Sequence, residues 1–464
     1  MTLRIYNTQS RTVEPFETIE PGVVRMYVCG VTPYAKAHIG HAMSSIVFDV
    51  IRRYLTYRGY TVRHVTNFTD IDDKIIARAN REGISPDELT EQMIAEWHRE
   101  TAALNVLPAD LYPRATQEVD RIITMIEELI RQGFAYECEG DVYYRVRAFE
   151  EYGKLSHRSL DDLLSGARIE IDERKEDPLD FALWKAAKPG EPWWESPWGK
   201  GRPGWHIECS AMCSHHLGGL VDIHGGGADL IFPHHENEIA QSEAALQQEP
   251  FARYWVHNGL LQLGGEKMSK SIGNLVAVDE LIAQKRTAAF RVLVLQSHYR
   301  APLTFTDDGL EAAQRGLDRI RAALNPAAIA TDSVPLQPGI ADETRAEFEA
   351  AMDDDFDTPK AMAAIFNLAR AINRSAGNPD SAEALEASRQ TLQSLLDVFG
   401  IAPDADEESE MIGAAPFIDL LLRIREQLRA GKHWAEADAI RNGLNELGIR
   451  IEDGPEGATW RQES

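Results

Sequence analysis

The sequence predicts an α/β protein in which a mainly parallel sheet is followed by helices. Up to about residue 265, strand-like segments alternate with helical ones, which is the order typical of a parallel sheet. From Thr287 onward the helical period dominates. With 464 residues, 44% of them hydrophobic, the chain can bury a large core and is expected to divide into two or more domains.

A strand, a turn and a helix follow one another near the N-terminus. Met26-Tyr27-Val28-Cys29 is a short β-prone run, Gly30 and Pro33 mark a turn, and a helical pattern runs from about His38 to Tyr57. The start of a helix suits anions, because its unpaired backbone N–H groups and its dipole face them. The pattern predicts an anion site near residue 38.

Two histidines stand at the start of this helix. His38 and His41 are three positions apart and therefore lie on one side of the first turn, where both can touch a nucleotide. Gly40 removes a side chain where a nucleotide could press against the backbone. Alone, such a pair is more often two ordinary histidines at a helix end.

An insertion is predicted between roughly residues 112 and 200. It contains a helical segment from Val119 to Gln132, a strand-like segment from Asp141 to Val146, and a stretch rich in Pro, Gly and Trp from Pro189 to Trp205.

A second motif, Lys267-Met268-Ser269-Lys270-Ser271, follows Gly264-Gly265 and precedes Gly273. Mobile cations on such a loop suit phosphoryl transfer, because they can approach the phosphates as negative charge develops and then withdraw. A lysine-rich loop by itself is usually solvated surface. Its pairing with the histidine motif about 230 residues upstream favours a shared nucleotide site.

The C-terminal part is predicted to be helical. A linker with Pro and Ala spans Asn325 to Gly339, helices run from Ala341 to Gly400, and a small module begins near Ala415 after the acidic stretch Asp404 to Glu410. We expect the helices and the small module to contact a further part of a macromolecule, away from the nucleotide site.

Composition narrows the class of protein. No run of eighteen apolar residues and no basic start followed by an apolar run are present, so we expect a soluble, cytoplasmic protein without a membrane partner. Four cysteines are too few for a disulfide scaffold and are expected to be thiols or metal ligands. The net charge of -26 argues against indiscriminate nucleic-acid binding, but it leaves room for a local basic face.

Spacing alone leaves the metal question open. Cys29 stands by itself, and Cys209 and Cys213 lack the short spacing of a zinc knuckle. A helix beginning at Pro233 would place His234 and Glu238 on one face. Zinc ligands on the one hand, and buried cysteines with a surface His/Glu pair on the other, both fit this pattern.

The motifs together resemble a known family. His38-Ile39-Gly40-His41 and Lys267 to Ser271 are similar to the HIGH and KMSKS signatures of class I aminoacyl-tRNA synthetases. Other segments resemble, in order, the motifs of the cysteinyl-tRNA synthetase family over nearly the whole chain: Tyr27-Val28-Cys29-Gly30, Asn67 to Lys74, Phe181 to Lys185, Gly204 to Met212, Asp222 to Gly227, Phe232 to Glu238, Ile451 to Pro455 and Trp460-Arg461.

The resemblance implies an architecture. It is a class I synthetase Rossmann-like nucleotide-binding domain with a connective-peptide insertion, followed by an α-helical bundle and a small C-terminal module. The implied ranges are 1–111 and 201–265 for the catalytic halves, 112–200 for the insertion, 266–325 for the KMSKS loop and stem-contact region, 341–403 for the bundle and 411–464 for the anticodon-binding module.

The resemblance also implies an activity and its site. The enzyme would activate L-cysteine with ATP and Mg²⁺, forming cysteinyl-adenylate and releasing pyrophosphate, and would then charge tRNA(Cys), working as a monomer with one zinc ion. The implied roles fall on these residues: zinc on Cys29, Cys209, His234 and Glu238; catalysis on His38, His41, Lys267 and Lys270; nucleotide binding on Thr32, Gly40, Gly226 and Asp229 with the histidines and Lys270; cysteine binding on Gly30, Thr69, Trp205 and His224.

One segment departs from the family pattern. Gly30-Val31-Thr32-Pro33-Tyr34 places its proline two residues later than the family usually does. This arrangement resembles the ATP-dependent ligase that joins cysteine to a glucosaminyl inositol in mycothiol synthesis, a shorter protein without the full anticodon-binding end. The terminal Ala437-Asp438-Ala439-Ile440-Arg441 helix favours the synthetase. A third reading is a non-catalytic tRNA- or zinc-binding paralogue, against which the intact signatures argue.

Overall fold

The structure, a computed structural model, describes residues 2–160, 174–263, 266–267, 276–330, 332–402, 414–446, 449–454 and 457–462. The chain forms two compact units, Met1–Asp406 and Glu407–Ser464, and each is described by itself.

The described strands of the first unit are β1 (Arg4–Asn7), β2 (Thr12–Pro15), β3 (Val23–Val31), β4 (Thr61–Phe68), β5 (Ala135–Cys138), β6 (Asp141–Tyr144), β7 (Phe181–Ala186), β8 (Gly201–Pro203), β9 (Val221–Gly227), β10 (Ala252–Asn258), β11 (Leu261–Leu263), β12 (Glu266–Lys267) and β13 (Leu303–Phe305). Its described α-helices are α1 (Ile39–Tyr57), α2 (Asp73–Glu82), α3 (Pro86–Ala103), α4 (Val119–Arg131), α5 (Trp205–Leu217), α6 (Glu236–Leu246), α7 (Val278–Ala283), α8 (Thr287–Leu295), α9 (Asp307–Leu324), α10 (Ile340–Met352), α11 (Thr358–Ser375) and α12 (Ala382–Phe399).

A four-stranded parallel sheet forms the centre of the first unit, in the order β10, β9, β3, β4. Met26, Tyr27 and Val28 of β3 are paired with both β4 and β9 and are buried, which is why this strand reads as a continuous apolar run. The chain continues from β3 to β4 on one side and later reaches β9 on the other. Ligands bind at the carboxyl ends of strands at such a switch point. The predicted parallel sheet is confirmed.

Helix α1 packs tightly on this sheet. A Cβ atom at Gly225 of β9 would lie 2.2 Å from the ring of Phe48, so only glycine lets the helix approach this closely. The predicted helix from His38 to Tyr57 is confirmed, with His38 as its N-cap residue.

The insertion forms an antiparallel sheet in the order β5, β6, β7, β8. It has its own apolar cluster, in which Ile122 and Ile126 of α4 pack with Tyr144 and Trp184 of the sheet. The predicted helix and strand of this region are found, with ends two residues or less from the predicted ones.

Helices α10, α11 and α12 share the core of the catalytic part. Phe348, Leu368 and Leu392 belong to the same buried cluster as Leu55 of α1 and Leu317 of α9. No helix or strand lies in the described residues between α9 and α10, in agreement with the predicted linker.

The second unit contains α13 (Ala414–Ala430), α14 (Trp434–Glu446), β14 (Ile449–Gly454) and β15 (Gly457–Gln462). The two strands pair antiparallel, and Ile418, Leu422, Leu444 and Ile451 form a small buried cluster. Trp460 packs against this cluster.

Two expectations drawn from the composition concern the cysteines and the absence of a membrane-spanning helix. All four cysteines are free, as predicted. None of the helices that the structure describes is long and apolar enough to cross a bilayer.

Candidate active site

A cavity of about 420 Å³ lies where the carboxyl ends of β3 and β9 meet the start of α1. Eight of the residues that the sequence nominated line it: Cys29, Gly30, Thr32, His38, Gly40, His41, Trp205 and Asp229. The switch point of the sheet therefore brings both the first signature and one predicted metal ligand to a single cavity.

The first turn of α1 is capped by its own histidine. The backbone N–H groups of Gly40 and His41 donate to Nδ1 of His38, at 3.1 and 3.4 Å, and the N–H of Ile39 donates to the carbonyl oxygen of Val276 at 3.0 Å. The prediction that these N–H groups are unpaired is wrong. A nucleotide here would meet the helix dipole and two imidazole rings, whose centroids are 3.7 Å apart.

The backbone between Cys29 and His38 is held closely against β4. A Cβ atom at Gly30 would lie 1.7 Å from the carbonyl oxygen of Asn67, and the N–H of Gly30 donates to Oδ1 of Asn67 at 2.9 Å. Pro33 is the central residue of a three-residue turn closed by the N–H of Tyr34 and the carbonyl oxygen of Thr32 at 2.8 Å. Because the φ angle of proline suits that position, the shifted proline fits this loop.

The four predicted metal ligands converge beside the cavity. One donor atom from each of Cys29, Cys209, His234 and Glu238 lies within 4.8 Å of all the others. Oε1 of Glu238 is 3.2 Å from Sγ of Cys29 and 3.0 Å from Nε2 of His234. Three of these residues are buried, and Cys29 is partly buried and faces the cavity. Two thiols, an imidazole and a carboxylate are a donor set that fits Zn²⁺.

Charges in this cluster are strongly coupled. Hydrogen bonding from Cys29 lowers the pKa of the Cys209 thiol to about 6 against the effect of burial. Burial lowers the pKa of His234, but the charges of Glu238 and Cys209 outweigh it and raise that pKa to about 10. Burial opposes ionisation of Glu238, yet the adjacent histidines hold its pKa well below the ordinary value. A divalent cation would replace the protons that now neutralise these donors.

A second donor set overlaps the first. The donor atoms of Cys29, His224, His235 and Glu238 also lie within 4.8 Å of one another. Nε2 of His224 is 3.6 Å from Sγ of Cys29 and 3.2 Å from Oε2 of Glu238. Both donor sets are compact enough to hold a metal ion. The predicted set is favoured for zinc because it supplies two sulfur donors.

The helix that carries Glu238 begins later than predicted. A wide helical turn, Ile231–His235, precedes α6, and Phe232 inside it has non-helical angles. The regular α-helix is found from Glu236, and Pro233 lies in the wide turn that leads into it. His234 and Glu238 nevertheless meet across one turn, as their spacing predicted.

Trp205 stands at the edge of the cavity. Its ring is stacked on the ring of His234, with a centroid distance of 4.3 Å and an interplanar angle of 25°, and 40% of the residue is exposed. A flat ring in this position can cover a small ligand bound next to the donor cluster.

Several nominated residues lie outside the cavity lining. Thr69 is buried and accepts a hydrogen bond from Asn67 at 3.4 Å, and Gly226 is buried against His235. Lys267 lies in β12, which pairs with β11, whereas Lys270 lies outside the described residues.

A chain of hydrogen bonds behind the donor cluster has no signal in the sequence. Nδ1 of His235 lies 2.7 Å from Nε2 of His257, and Nδ1 of His257 lies 2.8 Å from Oγ1 of Thr8. His235 belongs to a quoted motif, but Thr8 and His257 come from distant segments with no motif of their own.

Comparison with family models covers most of the chain. A model described as the tRNA synthetases class I (C) catalytic domain matches residues 15–315, a DALR domain model matches residues 347–402, and a model of the cysteinyl-tRNA ligase anticodon binding domain matches residues 414–461.

Relatives of similar length, and a solved structure with a similar fold, agree with the family models. A cysteine–tRNA ligase of Dehalococcoides mccartyi is 51% identical over 461 residues, 99% of each chain. One of Thermococcus gammatolerans is 48% identical over 475 residues, 100% of this chain and 99% of the relative. Methionyl-tRNA synthetase of Mycobacterium tuberculosis, with methionyl-adenylate, shares the fold, with a TM-score of 0.57, 18% identity, and coverage of 86% of this chain and 94% of that one. The chain therefore belongs to the cysteine–tRNA ligase family of class I aminoacyl-tRNA synthetases, as its paired signatures predicted.

Proposed function

We propose that this chain activates L-cysteine with ATP, releasing pyrophosphate, and then transfers the cysteinyl group from the adenylate to the 3′ end of tRNA(Cys). The observation that carries the proposal is the convergence of Cys29, Cys209, His234 and Glu238 beside a cavity that also holds the HIGH histidines. Cys29 belongs to both, so a sulfur-containing substrate at the donors would lie next to the nucleotide.

These four residues are proposed to hold one zinc ion per chain. When bound there, zinc would supply a soft Lewis acid that accepts the thiolate of the substrate as a further ligand. The selectivity follows from donor chemistry, since a hydrophobic pocket separates similar side chains by only about 1 to 3 kcal/mol. Serine has no sulfur and lacks this interaction.

The remaining roles concern position and charge. Trp205 covers the bound amino acid, since its ring already lies on His234 at the cavity edge. His38 and His41, on the positive end of α1, stabilise the phosphates together with Mg²⁺, Lys267 and Lys270. Gly30, Thr69 and His224 contact the cysteine, and Thr32, Gly40, Gly226 and Asp229 contact the nucleotide.

The C-terminal unit is proposed to bind the anticodon of tRNA(Cys). This role rests on the family match over residues 414–461 and on the two helices and the pair of strands found there. RNA loops are read as splayed bases, by stacking and hydrogen bonds. We further propose that the enzyme acts as a monomer in the cytoplasm and that the ranges 1–111, 112–200, 201–265, 266–325, 341–403 and 411–464 are its domains.

Cysteine-dependent exchange of pyrophosphate into ATP tests the first step. We expect exchange with cysteine and a preference over serine larger than the roughly 10- to 200-fold that a hydrophobic pocket gives. Charging is then measured with tRNA(Cys) and, in parallel, with glucosaminyl inositol as the acceptor. No exchange would identify a non-catalytic binder, and exchange followed by transfer only to the inositol would identify the mycothiol-type ligase.

A further inference from the structure

Three metal-ligating side chains meet where the insertion packs on the catalytic part. Glu118 stands directly before α4 of the insertion, and His215 and His216 lie in the last turn of α5. One donor atom from each of these side chains lies within 4.8 Å of the other two. Nε2 of His216 is 2.8 Å from Oε1 of Glu118. The described lining of the catalytic cavity does not include them, so the proposed reaction gives them no role.

The fold holds the two sides of this cluster together. Glu118 and His216 are 98 positions apart in the chain. Helices α4 and α5 contribute Ile122 and Ala211 to one buried apolar cluster, which packs the two helices against each other. The donors are therefore already close before any ion binds. A preformed site of this kind needs little ordering when its ligand arrives.

One side of the cluster is open to solvent. His215 is exposed, whereas the side chains of His216 and Glu118 are only 19% and 13% exposed. Two donors are thus held in place by their surroundings, and the third can turn toward an ion. Because of the exposed side, an ion can enter from solution and water can fill its remaining coordination positions.

The surrounding charge suits a cation. The histidines lie at the C-terminal end of α5, where the helix dipole is negative. Glu118 adds a carboxylate, although the positive end of α4 next to it offsets part of this attraction. The chain as a whole carries a net charge of -26.

The donor types indicate which ions fit. Imidazole is a ligand for zinc, copper and nickel, whereas Mg²⁺ and Ca²⁺ prefer oxygen ligands. Two histidines and one glutamate form a donor set that holds Zn²⁺ and leaves a position for water. The cluster therefore fits a divalent transition-metal ion with nitrogen and oxygen ligands and no thiolate.

We propose that Glu118, His215 and His216 form a separate site for a divalent transition-metal ion, best suited to Zn²⁺, that links the insertion to α5. The site is distinct from the thiol-containing donor cluster, because His215 is six residues beyond Cys209, about 9 Å along the helix axis. It lies at the end of α5 opposite Trp205. The proposal does not depend on the proposed function.

Two properties follow from this arrangement. The ion is exchangeable, because only three side chains hold it and one of them is exposed, so protein purified without added metal keeps zinc at the thiol-containing cluster alone. An ion that binds the folded chain and not the unfolded one also raises the stability of the fold.

Co²⁺ is the probe, because its absorption spectrum reports its ligands. Full-length protein that retains its tightly bound zinc is titrated with Co²⁺. We expect uptake of one further equivalent at micromolar Co²⁺, without the near-ultraviolet charge-transfer band of a cobalt–thiolate bond. Added Zn²⁺ should compete with Co²⁺ for this site and should raise the Tm of the protein.

His215→Ala and Glu118→Gln each remove one ligand, and His215→Ala is the decisive variant because an exposed side chain contributes little to folding. Loss of an outer-shell partner typically weakens metal binding 10- to 100-fold, so loss of a ligand should weaken Co²⁺ binding by at least about tenfold. His433→Ala is the matched control. His433 is exposed and 3.9 Å from Glu436, but it belongs to no group of three donors within the described residues. This variant should bind Co²⁺ as the wild type does.

Three results would overturn the proposal. The first is a wild type that takes up no further Co²⁺ at micromolar concentrations. The second is an unchanged affinity for Co²⁺, or an unchanged rise in Tm with Zn²⁺, in His215→Ala. The third is a new cobalt–thiolate band during the titration, which would place the further ion on cysteines and not on the histidines.

Discussion

His38 has two separable roles, one in the helix and one in catalysis. Its Nδ1 accepts the N–H groups of Gly40 and His41, which makes it the N-cap of α1. Its ring also lines the nucleotide cavity. Replacement by Asn keeps a capping oxygen close to the position of Nδ1 and removes the rest of the ring, whereas replacement by Ala removes both.

The two losses differ in size. Loss of an N-cap costs about 1 kcal/mol of stability, and Asn is among the best N-cap residues. We therefore expect His38→Ala to lower the free energy of unfolding by about 1 kcal/mol and His38→Asn to change it by only a few tenths. Loss of one preorganised contact to the phosphates lowers kcat by about 10² to 10³. Both variants should therefore show the same large loss in cysteine-dependent exchange.

Urea unfolding and the kcat for exchange measure the two effects separately. Ser85→Ala is the matched control, because Ser85 caps α3 through a hydrogen bond from the N–H of Glu88 at 3.1 Å and lies outside the cavity lining. It should lose about 1 kcal/mol of stability without losing exchange. If His38→Asn kept wild-type kcat, the histidine would act only as a cap and its catalytic assignment would be wrong.

Three other predictions concern the metal, the second unit and pH. Elemental analysis of the wild type should find near one equivalent of zinc per chain. The zinc content should fall more in Cys209→Ser than in Glu238→Ala, because zinc favours the softer donor. An active, metal-free wild type would contradict this prediction. A chain of residues 1–406 should keep exchange but lose most of its kcat/KM for tRNA; undiminished charging would refute anticodon binding. The truncated chain ends at residue 406 because the first compact unit ends there, and an earlier end in the linker after α9 would remove Phe348 from the core. Burial lowers the pKa of His64 to about 3 from 6.5, so the unfolded chain binds more protons between these values. The stability owed to neutral His64 is complete above about pH 6.5 and is lost as the pH falls toward 3. His64→Gln should therefore make the free energy of unfolding, measured with urea, depend less on pH in this range. An unchanged pH dependence would contradict the burial effect.

Much of the site could be predicted because many of its functional residues lie in short, recognisable segments of the sequence. The strand, turn and helix around Cys29 and His38 follow from local periodicity and from the residues that favour turns. The meeting of His234 and Glu238 follows from their spacing on one helical turn. The wide turn Ile231–His235 in front of the regular helix did not follow from that spacing.

The sequence by itself determined the family, the alternation that builds the parallel sheet, and the chemical identity of the donors. The tertiary structure decided which donors meet, because Cys29 and Glu238 are 209 positions apart and only the packing of β3, β9 and α6 brings them together. It also decided that the first N–H groups of α1 are occupied and that Glu118 meets two histidines of α5. Periodicity and turn preference act over a few residues, whereas these features depend on contacts between segments far apart in the chain.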